Sequence, residues 1–149
     1  MSDFDFLYGE WTVANRRLRQ LFVGSDEWDE FPATSWARPL LDGVGNVDEM
    51  HCPTQGWSGA SIRFQDQESG EWSIYWANSS TGRLFPPVVG RFTDGRGDFY
   101  GDDTHEGDPI RAHFTWSDIT PVSARWQQEF SRDDGKTWEC NWIMEFTRA

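Results

Sequence analysis

Apolar and polar residues alternate along most of the chain in short segments. Near the C-terminus, Cys140, Trp142, Met144 and Phe146 alternate with mostly polar neighbours, and residues 72–78, 110–116 and 124–130 repeat the pattern. A period of two residues is typical of β-strands with one buried face. Only residues 3–8 predict a short helical turn. The pattern therefore predicts an all-β protein.

Short turns divide the chain into ten predicted strands. The turns contain pairs such as Asp42-Gly43, Asp94-Gly95 and Asp134-Gly135, which favour hairpins. The strands are expected at about residues 10–20, 29–38, 43–51, 58–66, 71–78, 87–93, 97–103, 110–117, 122–131 and 137–147. No link is long enough for a parallel crossover, and a sheet of this length must close to remove its edges. We predict a closed antiparallel up-and-down β-barrel of about ten strands, with residues 1–149 as one domain.

The parity of each strand predicts which side chains face the barrel interior. Apolar candidates to line it are Trp76, Trp116, Trp126, Trp142 and Met144, and polar candidates are Asn46, Asp48, Asn78, Tyr100, Asp102 and Gln128. A ten-stranded barrel is wider than an eight-stranded one, so a cavity is expected. A few polar groups among aromatic walls are typical of a small-molecule site. The alternative interpretation is that the aromatic residues fill a core while the polar ones satisfy buried backbone groups.

Candidate chemistry is limited to a few side chains. Asp48 and Asp102 are candidates for a carboxylate pair across the cavity, with Tyr100 as a further acid or base. The three histidines lack metal-ligand spacing, and His113 is expected to be an exposed strand residue. There is neither a G-x-S-x-G motif nor a glycine-rich phosphate loop, so we expect no metal and no cofactor.

Composition and charge limit the classes of partner that the protein is expected to bind. The net charge of −12 disfavours binding to nucleic acid. No apolar run approaches the roughly twenty residues that cross a membrane, and the N-terminus lacks a signal sequence. We therefore expect a cytoplasmic protein in which Cys52 and Cys140 are free thiols. The sequence leaves both a monomer and a homodimer open.

One hairpin carries a recognisable motif. Ser131, Asp133, Gly135, Thr137 and Trp138 spell S-x-D-x-G-x-T-W, which resembles the Asp-box hairpin of sialidase propellers and other β proteins. The aspartate accepts backbone N–H groups, the glycine takes a positive φ, and the tryptophan packs on the sheet. We interpret the motif as structural, since the chain is too short for a propeller.

Longer segments carry a resemblance to a family. FDFLYGEW, PLLDGVGNVDE, WSIYWANSSTGRL and SARWQQEFSRDDGKTWECNWIMEFTR together resemble an uncharacterised bacterial family of Trp-rich domains of about this length, with calycin-like (lipocalin-like) β-barrels. Gly9 and Trp11 resemble the G-x-W signature of calycins, in which Trp closes the barrel floor beneath a basic residue. Arg148 is placed for that role. The resemblance implies the fold, and it assigns no reaction.

Three classes of function follow. The first is binding of a small apolar or aromatic molecule in a Trp-lined cavity. The alternative is an enzyme of the same shape, an isomerase, cyclase or lyase that uses Asp48, Asp102 or Tyr100 in a dry pocket. The third is a fully packed structural or interaction barrel, which a cavity smaller than about 300 Å³ would favour.

Overall fold

A computed structural model describes residues 3–149, and it contains ten antiparallel strands in one closed barrel. The strands are β1 Gly9–Leu18, β2 Trp28–Leu40, β3 Gly45–Cys52, β4 Trp57–Gln65, β5 Trp72–Asn78, β6 Val88–Thr93, β7 Arg96–His105, β8 Asp108–Ser117, β9 Ser123–Ser131 and β10 Glu139–Arg148. Two 3₁₀ turns, Asp5–Leu7 and Leu41–Gly43, complete the described elements. The predicted closed all-β barrel is confirmed, and each predicted strand end lies within two residues of the observed one.

The barrel closes because β1 pairs with both β2 and β10. Trp11 lies opposite Ser35 on β2 and opposite Arg148 on β10. Every other strand pairs with its neighbours in the chain, as hairpin turns require. The pairing of β5 with β6 is the shortest, and in the link 79–87 that follows β5, Leu84 forms an isolated bridge with Ala77.

The N-terminal segment plugs one end of the barrel. Phe4 and Leu7 are fully buried, and the Phe4 ring meets the Trp72 ring edge-on with centroids 4.8 Å apart. The predicted N-terminal helical turn is thus present as a 3₁₀ turn. This end is the floor. Because β1 begins at the floor and ends at Leu18, the loops 19–27 and 79–87 surround the opposite end, the mouth.

Strand parity agrees with the prediction in most of the wall. Trp142, Met144 and Phe146 of β10 are buried in the core, as are Trp116 and Trp126 of β8 and β9. The first residues of β10 depart from the predicted parity. A β-bulge between Cys140 and Trp142 reverses the parity there, so Cys140 lies opposite Glu129 instead of facing inward.

The inward orientation predicted for Tyr100 and Asp102 is wrong. On β7 the buried parity consists of Gly97, Phe99 and Gly101, while Tyr100 is 41% exposed and the Asp102 side chain is 84% exposed. A Cβ on Gly101 would lie 2.3 Å from the Pro87 carbonyl oxygen, so the close approach of the backbone requires glycine. Glycines carry no hydrophobic signal, and the true inner parity was therefore missed.

Candidate functional site

Two small cavities lie one above the other inside the barrel. The inner cavity has a volume of about 50 Å³, and the cavity at the mouth about 120 Å³. Both are far below the roughly 300 Å³ of a typical ligand pocket, and volumes below this size favour the fully packed barrel. They share the lining residues Ile74, Trp76, Phe114, Gln128 and Trp142. These five residues therefore form the partition between the cavities.

Two tryptophans of this partition, Trp76 and Trp142, pack against each other and against Trp57, which lines neither cavity. The ring centroids of Trp57, Trp76 and Trp142 lie 5.9 to 6.3 Å apart, and all three pairs are nearly perpendicular. Edge-to-face contacts of this kind stabilise by about 0.5 to 1.5 kcal/mol each beyond area burial. The Arg17 guanidinium covers Trp142 on the mouth side, 4.2 Å from the ring centroid. The mouth is thus lined by aromatic faces under a cation.

Gly59 on β4 makes room for Trp76. A Cβ at Gly59 would lie 1.9 Å from Cη2 of Trp76, which lies on the neighbouring strand opposite Ser61. The indole therefore lies directly over the glycine backbone. Any side chain at position 59 would push this ring into the cavity region.

A buried guanidinium lies on the floor side of the inner cavity. Arg63 of β4 is 3% exposed, and it donates to Asn46 Oδ1 at 2.8 Å and to Asp48 Oδ2 at 2.5 Å. Asn46 is fully buried, and the Asp48 side chain is 13% exposed. The Phe4 ring of the floor packs under the guanidinium with 5.0 Å between the Arg63 Cζ atom and the ring centroid. Asp48 balances the buried positive charge.

Other polar side chains of the interior form hydrogen bonds with one another. Gln128 Nε2 donates to Asn141 Oδ1 at 2.8 Å, and Trp142 Nε1 donates to Asn15 Oδ1 at 2.9 Å. Asn78 lines the mouth cavity, while its Oδ1 accepts backbone N–H groups of the turn that follows it. Hydroxyl groups of Ser35 and Ser61 complete the lining of the inner cavity.

Among the sequence candidates, the structure brings seven to the inner cavity. They are Asp48, Trp76, Trp116, Trp126, Gln128, Trp142 and Met144. Asn46 does not line the inner cavity but accepts a hydrogen bond from Arg63, and Asn78 lines the mouth cavity. Asp102 borders the mouth cavity and forms an ion pair with Arg111, with 3.0 Å between Nη1 and Oδ1, whereas Asp48 lines the inner cavity. The expected pairing of Asp48 with Asp102 across one cavity is therefore wrong.

Several residues around the cavities were not singled out from the sequence. They are Arg17, Ser35, Trp57, Ser61 and Arg63. On β4, Gly59, Ser61 and Arg63 are the buried parity, whereas the more apolar Ile62 and Phe64 are only half-buried. The hydrophobic pattern of β4 therefore predicts the wrong face of the strand to be buried. The signal for Arg63 is its pairing with Asn46, since only the register of β3 and β4 brings the two together.

The outer wall carries its own polar cluster around His113. The imidazole is 6% exposed, which contradicts the expected exposed residue. Nδ1 lies 2.6 Å from Glu129 Oε1, Nε2 lies 2.8 Å from Asp98 Oδ1, and the Tyr100 ring stacks on the imidazole at 4.3 Å. Burial raises the pKa of Asp98, but hydrogen bonds from Arg96 and His113 outweigh it and hold this pKa below its usual value.

The Asp-box hairpin between β9 and β10 is organised around Asp133. Its carboxylate accepts hydrogen bonds from the Thr137 hydroxyl, the Thr137 backbone N–H and the Ser131 hydroxyl. These bonds, led by the Thr137 hydroxyl, hold the pKa of Asp133 well below its usual range. Gly135 has a φ of +87°, and the Trp138 ring packs 5.7 Å from His113 on the outer wall. The geometry is that of a turn, and none of the five motif residues lines the inner cavity or the mouth cavity.

Arg148 lies against the floor. Its guanidinium lies 3.9 Å from the centroid of the Trp11 ring, and it donates to the carbonyl oxygens of Phe6, at 2.8 Å, and Tyr8. The Trp11 indole donates to the Leu7 carbonyl at 2.8 Å. A Cβ at Gly9 would lie 2.7 Å from Arg148 Nη1, so glycine leaves the space that the guanidinium needs.

A groove of about 710 Å³ crosses the outer faces of β10, β1 and β2, but it is open, and its charged rim is already paired through Arg16 with Glu30 and Arg125 with Glu145. Within residues 3–149, no three His, Cys, Asp or Glu side chains are grouped to hold a metal ion.

Cys52 and Cys140 are free, and burial raises the pKa of the Cys52 thiol to about 11. Over residues 3–149, no helix is long and apolar enough to span a membrane.

Comparisons with known proteins identify the fold and no more. No family model matches the chain, and no curated protein matches it either. Among solved structures, the S-type phycobiliprotein lyase CPES from Guillardia theta is similar, with a TM-score of 0.56 at 9% sequence identity. The match covers 98% of this chain and 90% of the lyase. At this identity, the likeness extends to the barrel alone. Membership of the bacterial family that the motifs resemble stays a prediction.

Proposed function

We propose that this barrel binds a small, mostly apolar molecule between its Trp walls. The observation that supports this is the pair of cavities separated by Trp76 and Trp142, with charged and amide groups placed in otherwise aromatic walls. A few polar groups in a concave apolar site are the usual composition of a ligand pocket. The barrel of the similar phycobiliprotein lyase is compatible with such a role.

The volumes limit the size of the ligand. A dry cavity of about 150 Å³ in another protein accepts a benzene molecule. The mouth cavity, at about 120 Å³, and the inner cavity, at about 50 Å³, are each smaller than this, so one ring with a short substituent fits only when the Trp76 or Trp142 ring moves and joins them. A multi-ring ligand requires a still larger displacement of these rings. We therefore expect a single-ring compound rather than a multi-ring one.

Titration with ethylbenzene tests this proposal. Trp76, Trp126 and Trp142 contact the inner cavity, so a bound ring changes several indoles and quenches their emission. Trp142→Phe should remove a share of this response, and Trp28→Phe serves as the matched control because Trp28 lies on the outer wall beside Arg16. If neither the emission nor the melting temperature responds to ethylbenzene, acetophenone or indole, the small volumes favour the packed barrel instead.

One observation favours a second function. Asp48 lines the inner cavity as a carboxylate, which an isomerase, cyclase or lyase would use as an acid or base. Asp48→Asn separates the two functions once circular dichroism shows that the variant is folded, because the change leaves Arg63 without its counter-charge. A binding protein keeps its affinity within about tenfold, or about 1.4 kcal/mol, whereas an acid–base catalyst loses roughly 10² to 10⁴ in turnover.

A further inference from the structure

The buried polar atoms that lack partners are almost all hydrogen-bond donors. Within residues 3–149 they are the Tyr8 hydroxyl, Arg63 Nε, Trp116 Nε1 and the amide nitrogens of Asn15, Asn46 and Asn141. No carboxylate or carbonyl oxygen of a described side chain belongs to this group. An unsatisfied buried donor costs about a tenfold factor in an equilibrium or more. The interior therefore has a surplus of N–H groups.

Two of these donors belong to residues that line the inner cavity. Trp116 is 2% exposed and Arg63 is 3% exposed, and both side chains border the same space. An indole N–H and a guanidinium N–H can only donate. The group that satisfies them must be an acceptor oxygen or nitrogen.

The charges around the cavity disfavour an acid as the source of that acceptor. Asp48 lies 2.5 Å from Arg63 and already neutralises it. A second carboxylate in this space would face Asp48 in a low-dielectric interior, where like charges repel strongly. The mouth cavity is lined by two carboxylates, Asp102 and Asp103, and by one cation, Arg17, and the whole chain has a net charge of −12. Anions are thus repelled at long range as well.

We infer that the ligand is an uncharged, single-ring molecule with a carbonyl-type acceptor, whose oxygen takes the N–H groups of Trp116 and Arg63. The inference rests on the proposed function and deepens it. The carbonyl group occupies the inner cavity of about 50 Å³ beside Trp116 and Arg63, and the ring lies in the mouth cavity of about 120 Å³. This placement requires the Trp76 or Trp142 ring between the two cavities to move. No covalent step is involved.

A matched set of three probes tests this inference by calorimetry. Acetophenone and ethylbenzene have nearly the same shape and differ in one carbonyl oxygen, and benzoate adds a negative charge. We expect acetophenone to bind about tenfold more tightly than ethylbenzene, and benzoate to bind more weakly than both. Trp116→Phe keeps an aromatic ring but removes the N–H, so it should reduce the advantage of acetophenone to threefold or less. The control Trp28→Phe should leave this advantage at about tenfold.

A second measurement does not depend on the variant folding. The indole N–H resonance of Trp116 in an amide-proton NMR spectrum should move downfield with acetophenone and not with ethylbenzene. Equal affinities for these two probes, or an unmoved Trp116 resonance, would overturn the inference while leaving the proposed binding function intact. Tightest binding of benzoate would overturn it in favour of an acid. If none of the three probes binds, the proposed function itself fails.

Discussion

Arg63 and Asp48 form an ion pair inside the barrel, with 2.5 Å between Nη2 and Oδ2, although neither residue belongs to the apolar pattern of its strand. Asp48 of β3 lies opposite Ser61 of β4, two residues from Arg63, so the pair is diagonal across the hairpin. The register of this hairpin places a complete charge pair among aromatic side chains. Such a pair sets the polarity of the cavity without giving it a net charge.

The first prediction concerns the coupling within this pair. Arg63→Met leaves Asp48 as an uncompensated buried charge and should lower the free energy of unfolding by about 3 to 5 kcal/mol. The double variant Arg63→Met, Asp48→Leu should recover most of this loss, because two apolar side chains replace both charges. Urea unfolding measures the cycle. Losses that simply add in the double variant would mean that the two side chains do not stabilise one another.

The second prediction concerns the position of Trp76. Gly59→Ala places a methyl group where the indole now lies, 1.9 Å from Cη2, and should cost about 1 to 3 kcal/mol through overpacking. In a Trp76→Phe background the same substitution should cost clearly less, since the phenyl ring is shorter. Urea unfolding of the four proteins checks this. An equal cost in both backgrounds would contradict the proposed contact.

The third prediction concerns the floor. Trp11→Ala removes an aromatic side chain that is 1% exposed and lies against Arg148, and it should cost about 3 to 5 kcal/mol. Trp28→Ala, on the outer wall, is the matched control and should cost less than half as much. A loss below about 1 kcal/mol for Trp11→Ala in urea unfolding would show that the floor does not depend on this residue.

The fourth prediction is a pH dependence that originates at Asp133. Its pKa is lowered in the folded protein, so its stabilising effect is complete above the unfolded pKa of about 4 and is lost as the pH falls through the folded value. The difference in melting temperature between the wild type and Asp133→Asn should therefore be largest at pH 6 and shrink toward pH 2. Thr137→Val removes the hydroxyl hydrogen bond that contributes most to lowering the pKa of Asp133, so it should reduce the same pH dependence. A constant difference for Asp133→Asn would refute this origin.

Local features of the sequence determined the barrel. Turns such as Asp94-Gly95 and Asp134-Gly135 adopt the positive φ angles that hairpins need, and both residues of each pair have them in the structure. The alternation of Trp142, Met144 and Phe146 likewise predicts the buried face of β10. Both signals act between neighbours in the chain, because turn chemistry and pleat are local properties.

Strand parity already predicted Asp48 and Gln128 as polar residues of the interior, but tertiary structure alone decided which partners these groups have and how much volume is left. The bulge after Cys140, the inward glycines of β7 and the inward Arg63 all break the hydrophobic pattern of their strands. Each is set by a contact with another strand: Gly101 by the backbone at Pro87, and Arg63 by Asn46 and Asp48. A period of two residues separates the two faces of a strand, but it does not show which polar groups find partners inside. That depends on register and packing across the whole barrel, which bring residues distant in sequence into contact.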